Sequence, residues 1–308
     1  MTASLPPHTP VLIHEVLEVF EGVEEGVIVD CTLGFGGHSE ALLRHKPHIK
    51  IIGIDKDAQA REYASKRLEI FGDRFSCVAG SFGEKFEEIL QTYGEDISGV
   101  LADIGVSSLQ LDDPQRGFGF HANNLDMRMD MDAYLNARIV INQYSIYELE
   151  RIFKEYGEIK EYKKMASLIV HRRQKEPFVS ANDLSNFLQK HFRGSHIHPA
   201  TLAFQAIRIE VNDELGELKK LLESASRLKK AVFGIISFHS LEDRMVKNTF
   251  KQWTKSCICE SHVYKCECGN NHSKGAIITK KPLVAKEEEN RHNRRARSAK
   301  LRSFTFKD

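Results

Sequence analysis

Three glycines within four positions, Gly34, Gly36 and Gly37, follow an apolar run (Val27, Ile28, Val29) that ends on Asp30. Behind them Ser39 to Leu43 reads as the start of a helix, and a second apolar run, Ile49 to Ile54, leads into Asp55. A glycine turn lets a ligand come against the backbone, and the helix start behind it offers N–H groups without intrahelical partners. A carboxylate at the end of the neighbouring strand accepts hydrogen bonds from ribose hydroxyls. This combination is the chemistry of a nucleoside cofactor. The dinucleotide fingerprint requires Gly or Ala at position 39, where this chain has Ser39, so the match to a nicotinamide cofactor is imperfect. S-adenosylmethionine needs the same close approach and the same ribose acceptor but no pyrophosphate cradle. It is the cofactor these residues favour.

Further chemistry-bearing residues stand at later strand ends. Asp103 closes the apolar run Ile97–Ala102, and Ser107, Ser108 and Gln110 follow it; residues just past adjoining strand ends face the ligand crevice of a doubly wound sheet. Phe82 follows Gly80 and Ser81 at the end of another run, where it can meet an adenine or simply fill the core. Phe118 and Phe120, in the segment RGFGF, suit either stacking on a base or packing of a lid. His239, Ser240, Glu242, Asp243 and Arg244 follow the strand-like AVFGIISF and read as substrate-side positioning groups, and no nucleophile elbow supports a Ser/His hydrolase. His196 and His198 read as loop or RNA-facing residues. Cys257, Cys259, Cys266 and Cys268 lie within twelve positions, which suits either a tetrahedral zinc site or a reduced, exposed loop. The C-x-C spacing is tighter than the usual C-x₂-C pair, and no metal is assigned to the catalytic chemistry.

The elements that must position these groups alternate. Strands are expected at Val27–Cys31, Ile49–Ile54, Phe75–Ala79 and Ile97–Asp103, with helices at Gly37–His45, Ala58–Phe71 and Glu84–Thr92 between them. A helix over Val11–Phe20, behind Pro10, leads in. Continuous apolar strands alternating with helices indicate a parallel sheet covered on both faces. From about Ser107 to Arg208 no strand pattern is evident; helical patterns such as Ser145–Tyr156 and Ser180–Phe192 point to an inserted helical domain. The α/β pattern resumes with a helix at Glu214–Leu228, a strand at Ala231–Phe238 and a terminal strand pair at Ala276–Lys280 and Lys300–Phe306. The expected division is therefore 1–106 and 213–308 for an α/β core, with 107–212 inserted. The charged run Lys286–Arg297 is expected to be a mobile loop.

The 308 residues carry 44 Lys+Arg against 43 Asp+Glu, a balance that hides an uneven distribution of charge. From Lys280 to Asp308 ten basic residues face four acidic ones, a segment suited to polyanions. Arg294, Arg295 and Arg297 are its candidate phosphate contacts. No apolar run reaches the length of a membrane span, and the start has no signal-peptide pattern, so a soluble cytoplasmic protein with no membrane partner is expected.

Long motifs narrow the reading. DCTLGFGGHS (Asp30–Ser39), DIGVSSLQLDD (Asp103–Asp113), RGFGF (Arg116–Phe120), LDMRMD (Leu125–Asp130), HPATLAFQAIRIEVNDEL (His198–Leu215), ISFHSLEDRMVK (Ile236–Lys247) and RARSAKLR (Arg295–Arg302) occur in this order. Together they resemble the bacterial small-subunit rRNA cytosine-N4 methyltransferase family, also called MraW, over nearly the whole chain. The resemblance implies a class I (Rossmann-like) S-adenosylmethionine-dependent methyltransferase core with an inserted helical substrate-binding domain. It implies N4-methylation of a cytidine in the decoding centre of 16S rRNA, with the assembled small ribosomal subunit as partner. Carried over by position, the cofactor contacts are Gly36, Gly37, His38, Asp55, Phe82, Asp103 and Gln110. The CICESHVYKCECG stretch and His292–Arg295 depart from the family pattern.

The delocalised amino nitrogen of cytosine must pyramidalise to attack a sulfonium methyl, which favours a fixed acceptor on one N–H. Asp103 is the first candidate, Ser107 or Ser108 the second, and the base must be splayed from its stack. Other readings use the same fold: a nicotinamide-dependent oxidoreductase, a methyltransferase acting on DNA cytosine or on protein, and a non-catalytic rRNA-binding assembly factor.

Overall fold

The structure is a computed structural model that describes residues 10–106, 110–111, 113–192, 198–260, 262 and 265–308, Arg294 by its backbone alone. The chain divides into two compact units, Met1–Gly105 with Gly216–Asp308, and Val106–Leu215. The sequence places the divisions at 106/107 and 212/213; in the structure they fall at 105/106 and 215/216.

The first unit is built on seven strands: β1 (Glu25–Asp30), β2 (His48–Asp55), β3 (Phe75–Ala79), β4 (Ile97–Asp103), β5 (Val232–Ser237), β6 (Gly275–Ile277) and β7 (Lys300–Phe306). Their order is β3-β2-β1-β4-β5-β7-β6, the order of class I methyltransferases. Strands β1 to β5 run parallel, while β7 is antiparallel to both β5 and β6. The apolar runs are continuous because both faces of the sheet are covered. Val27 and Val29 of β1, Val100 and Ala102 of β4, and Phe233 and Ile235 of β5 enter one core cluster. The intervening Ile28, Leu101 and Ile236 enter the other. Successive strand side chains point to opposite faces, so this division follows directly from the pleat.

Helices cover each face. Against the Ile28 face lie α1 (Ile13–Val19), α2 (Gly37–His45) and α3 (Ala58–Leu68), through Val16, Leu42, Leu43, Ala64 and Leu68. Against the Val29 face lies α4 (Phe82–Tyr93), through Phe86 and Ile89. Helix α3 stops short of the expected Phe71, because residues Glu69–Arg74 tighten into a 3₁₀ turn with Gly72 at φ 54°.

Among its described residues the second unit is helical: α5 (Ala137–Gln143), α6 (Ile146–Glu155), α7 (Tyr162–Lys175), α8 (Ala181–His191) and α9 (Ala200–Asn212). Its core is its own, centred on Phe153, Ile152, Phe178, Leu184 and Ile207. Side chains cap the helix starts as their types predict: Asn136, Ser145 in a capping box with Glu148, and Ser180. Asp213 in the left-handed region (φ 49°) turns the chain into α10 (Glu214–Ala225). Leu218, Leu221 and Leu222 of α10, with Val246, Phe250 and Trp253 of α11 (Ser240–Trp253), complete the Val29 face.

The charged run at 286–297 corrects the expectation of a mobile loop. It forms α12 (Glu287–His292) and a 3₁₀ turn, Arg294–Ser298. Glu289 Oε1 accepts the Leu12 N–H at 2.8 Å, the Asn293 side chain caps the turn at Arg295 N, and Ala296 and Ala299 are buried. Composition alone misses this because the anchoring residues are two alanines, one asparagine and one glutamate in a run dominated by charge.

Candidate cofactor and catalytic site

Three adjacent strands of the sheet, β2, β1 and β4, each end on an aspartate: Asp55, Asp30 and Asp103. Asp30 lies in register with Gly53 and Leu101, so Asp55 and Asp103 each reach two residues beyond it on either side. The glycine loop is laced over these ends by backbone bonds, Cys31 N–H to Leu101 O (2.8 Å) and Leu33 N–H to Ile54 O (2.9 Å). Gly34 N–H then donates to Asp55 Oδ2 at 2.7 Å, and Asp57 N–H to Asp55 Oδ1 at 2.8 Å. Two bonds leave a carboxylate with lone pairs for further donors.

Asp30 is spent inside the loop. Its Oδ2 accepts the Ser39 hydroxyl at 2.7 Å and its Oδ1 the Thr32 N–H at 3.2 Å. Ser39 is fully buried, so the residue that breaks the dinucleotide fingerprint is the one that pins α2 to β1. Thr32 Oγ1 in turn accepts the Asp103 N–H at 2.6 Å, tying the loop to the end of β4. Sequence reasoning missed both Asp30 and Thr32 as site residues. The signal was present, since a buried run ending on an acid just before a glycine loop has nothing else to satisfy it.

The glycines serve different ends from one another. Gly36 caps α2 in the left-handed region at φ 73°, which a side chain adopts only with strain. Gly37 has an ordinary helical backbone, but a Cβ there would stand 2.5 Å from Pro10 Cγ. Its smallness admits the incoming chain, so the structure accounts for Gly37 by packing. His38 is likewise placed by the fold. It is buried, its Nε2 is 2.9 Å from the Val11 carbonyl, and its Nδ1 is 3.9 Å from Asp103 Oδ2. A carbonyl only accepts, so Nε2 carries the proton and Nδ1 is turned toward Asp103.

Electrostatics single out Asp103. Its Oδ1 is buried with no hydrogen-bond partner among the described residues. Burial pushes the carboxyl up to about 6; nearby His38 opposes this, while the Asp30 and Glu242 carboxylates reinforce it. Asp55 is also pushed up to about 6, by burial first, against the hydrogen bonds from Asp57 and Gly34. Asp30 is raised by burial as well. Three crowded acids at neighbouring strand ends favour a cation.

Of the remaining expected residues, Phe82 begins α4 with Ser81 as its N-cap and packs, half-buried, against the Val29-face core. Gln110 belongs to the second unit and is buried. Ser107, Ser108 and His196 lie outside the described residues. Phe118 and Phe120 take the packing alternative: Phe118 is a core residue, and Phe120 stacks on His198 at 4.7 Å and meets Phe204 edge-on at 4.9 Å. His198 is a half-buried loop residue, the first of the two alternatives read from the sequence.

The SFHSLEDR segment departs from a purely substrate-facing role. His239 and Glu242 form a capping box at the start of α11, with Phe238 N–H donating to Glu242 Oε2 at 2.8 Å. Asp243 binds Arg302 Nε at 2.7 Å and lies 3.5 Å from Lys300 Nζ, knitting α11 to β7. Gly105, in the IGVSS motif, admits the Phe238 ring, which a Cβ would meet at 2.6 Å.

A family profile described as the MraW methylase family matches residues 6–307. The chain belongs to this methylase family. "Ribosomal RNA small subunit methyltransferase H" of Helicobacter pylori (strain P12) is 57% identical over 300 residues, 97% of each chain. The protein of the same name from Wolinella succinogenes is 57% identical over 302 residues, 98% of this chain and 99% of that one. Among solved structures, a precorrin-6y C5,15-methyltransferase from Geobacter metallireducens aligns with TM-score 0.42 at 8% identity, covering 100% of this chain and 96% of that one. An rRNA methylase from Streptococcus thermophilus aligns with TM-score 0.39 at 10% identity, covering 98% and 100%. The class of the methylase fold therefore rests on its own strand order and the family match.

Proposed function

We propose that this methylase transfers a methyl group from S-adenosylmethionine to the N4 amino group of a cytidine in 16S rRNA, within the small ribosomal subunit. The observation that carries it is the row of aspartates at the ends of β2, β1 and β4, with Asp103 Oδ1 buried and unpartnered among the described residues. These residues fit the cofactor. An orphaned buried carboxylate oxygen suits an ammonium group, the spare lone pairs of Asp55 suit ribose hydroxyls, and the acidic row suits a sulfonium cation. When bound, the cofactor supplies an electrophilic methyl.

The chain's own residues supply the rest. Asp55, already fixed by Gly34 and Asp57, holds donors without reorganising. Asp103 is anchored through its backbone to Thr32, and the buried His38 ring, held at the Val11 carbonyl, stands 3.9 Å from its carboxylate. Its two oxygens can serve two donors, the cofactor amino group and one N–H of the cytosine amine. Holding that N–H lets the nitrogen pyramidalise, and the proton it must shed has an adjacent acceptor. Basic residues of the last segment contact rRNA phosphates, the helical unit takes part in binding the substrate, and the cytoplasm is where such a substrate is met.

The 57% identity to proteins named for small-subunit rRNA methylation favours rRNA over DNA and over a non-catalytic assembly role. Labelled methyl transfer to small subunits, free rRNA and DNA in parallel, followed by nucleoside mass analysis, tests all three. N4-methylcytidine from small subunits is the expected product. Its absence, with label on DNA or on nothing, would overturn the reading.

A further inference from the structure

We propose that Cys257, Cys259, Cys266 and Cys268 form a structural Zn²⁺ site in the connection between α11 and β6. Each residue can offer one sulfur, and the four sulfurs lie within 4.8 Å of one another. Cys266 Sγ is 3.6 Å from Cys268 Sγ, which is 3.7 Å from Cys257 Sγ. Four thiolates around zinc at about 2.3 Å form a tetrahedron with edges of roughly 3.8 Å. A disulfide would need about 2.05 Å between one pair and would leave the other two sulfurs unexplained. The observed spacing is that of a metal cage.

The segment also needs such a cross-link. Its base is closed by Lys274 N–H to Trp253 O (2.8 Å) and His272 N–H to Ser256 O (2.9 Å). Between these feet none of the described residues is buried, and its one described aliphatic side chain, Ile258, is 52% exposed. There is no apolar core among them to hold it, the condition under which small protein segments turn to metals or disulfides. Outside a helix, residues two apart can share a face, so each C-x-C pair can turn both sulfurs inward. That explains why the spacing departs from C-x₂-C. Two backbone groups already point at the sulfurs, Ile258 N–H to Cys268 Sγ and Glu267 N–H to Cys259 Sγ, each at 3.4 Å. Donors of this kind offset the negative charge that four thiolates place on one cation. The His272 ring nitrogen, 2.7 Å from the Cys268 carbonyl, braces the second pair from outside. Binding converts four thiols to thiolates with release of their protons and involves no change of oxidation state.

The test uses the full chain purified under reducing conditions without chelators. Elemental analysis should give one zinc per chain, and X-ray absorption at the zinc edge should show four sulfurs at about 2.3 Å. Cys257→Ser and Cys268→Ser should each lose most of the metal, whereas Cys77→Ser, outside the cluster, should retain it. Should the serine variants fold poorly, the wild-type chain answers alone. Stripping with a strong chelator should abolish hydrogen-exchange protection between residues 255 and 273, and added Zn²⁺ should restore it. The proposal is overturned if the reduced chain carries no zinc and takes up none when Zn²⁺ is supplied. Retention of zinc by a Cys257→Ser/Cys268→Ser double variant, or four sulfurs paired as disulfides, would overturn it equally.

Discussion

Asp103 meets two demands that pull in opposite directions. Burial beside Asp30 and Glu242 raises its carboxyl to about 6, so the free protein is less stable with it ionised. The sign follows from linkage: an acid raised in the folded state contributes stability below its unfolded value, and that stability is lost as pH rises through about 6. Asp103→Asn removes the charge, and the free variant should be more stable than wild type near pH 7, by up to about 3 kcal/mol. The gain should vanish below the unfolded carboxyl value of 3.8, which urea unfolding at several pH values would read. The same variant should be a poor enzyme. Its cofactor dissociation constant should rise, and single-turnover methylation at saturating cofactor should slow roughly a hundredfold or more. Near-normal turnover there would make Asp103 a binding residue only. In wild type, cofactor affinity should fall as pH drops through about 6, by up to about tenfold per unit for each carboxyl that must ionise. Isothermal titration in buffers of different ionisation enthalpy should show proton release on binding in that window.

At the scale of elements, the last segment divides its charges between two tasks. Lys300 and Arg302 are committed to Asp243, and the Arg302 guanidinium and Asp243 carboxylate lie on side chains each under 16% exposed. Burial alone would raise Asp243, but Arg302 prevails and holds its carboxyl below the usual range. This pair therefore stabilises above the unfolded carboxyl pKa, and its contribution is lost as pH falls through the lowered value. Asp243→Asn leaves a largely buried guanidinium without its counter-charge and should cost about 2–3 kcal/mol in urea unfolding, with methylation at permissive temperature little changed. Lys280, Lys281 and Arg297, by contrast, are exposed. Replacing these three with Ala should weaken small-subunit binding across sequences. The slope of log affinity against log salt should fall by about 0.7 for each phosphate no longer neutralised, with cofactor affinity unmoved. An unchanged slope would make them merely solvated.

The whole molecule divides into two units with separate hydrophobic clusters, and its aromatic residues let the units be followed separately. The single tryptophan, Trp253, packs among Phe250, Phe304 and Phe306 in the α/β unit. Phe153 is fully buried in the helical unit. Phe153→Ala should cost about 3–5 kcal/mol, read as loss of helical circular dichroism, while the tryptophan fluorescence transition moves less. Phe233→Ala, beside Phe250 and Trp253, should shift the fluorescence transition by a similar amount. Coincident transitions in both variants would mean that the two units unfold as one.

What could be read from the chain alone was whatever local chemistry dictates. The expected bounds of β3, β4 and β7 match to the residue; β4 is a continuous apolar run because both its faces are buried, while β7 alternates apolar and polar residues. Glycines beside acids marked the candidate cofactor loop, since few other residue types permit close approach and ribose recognition together. Motif order carried the family, and the N-cap Ser180 declared itself by type. The tertiary structure decided which of those residues meet each other. Gly37 turned out to admit Pro10, His38 to bind the Val11 carbonyl beside Asp103, Phe120 to stack on His198, and Asp243 to bind Arg302, each pairing residues that spacing cannot relate. Burial did the rest. A carboxylate's pKa, a sulfur's distance to three others and an orphaned oxygen are properties of surroundings, and the surroundings of a residue exist only once the chain has folded around it.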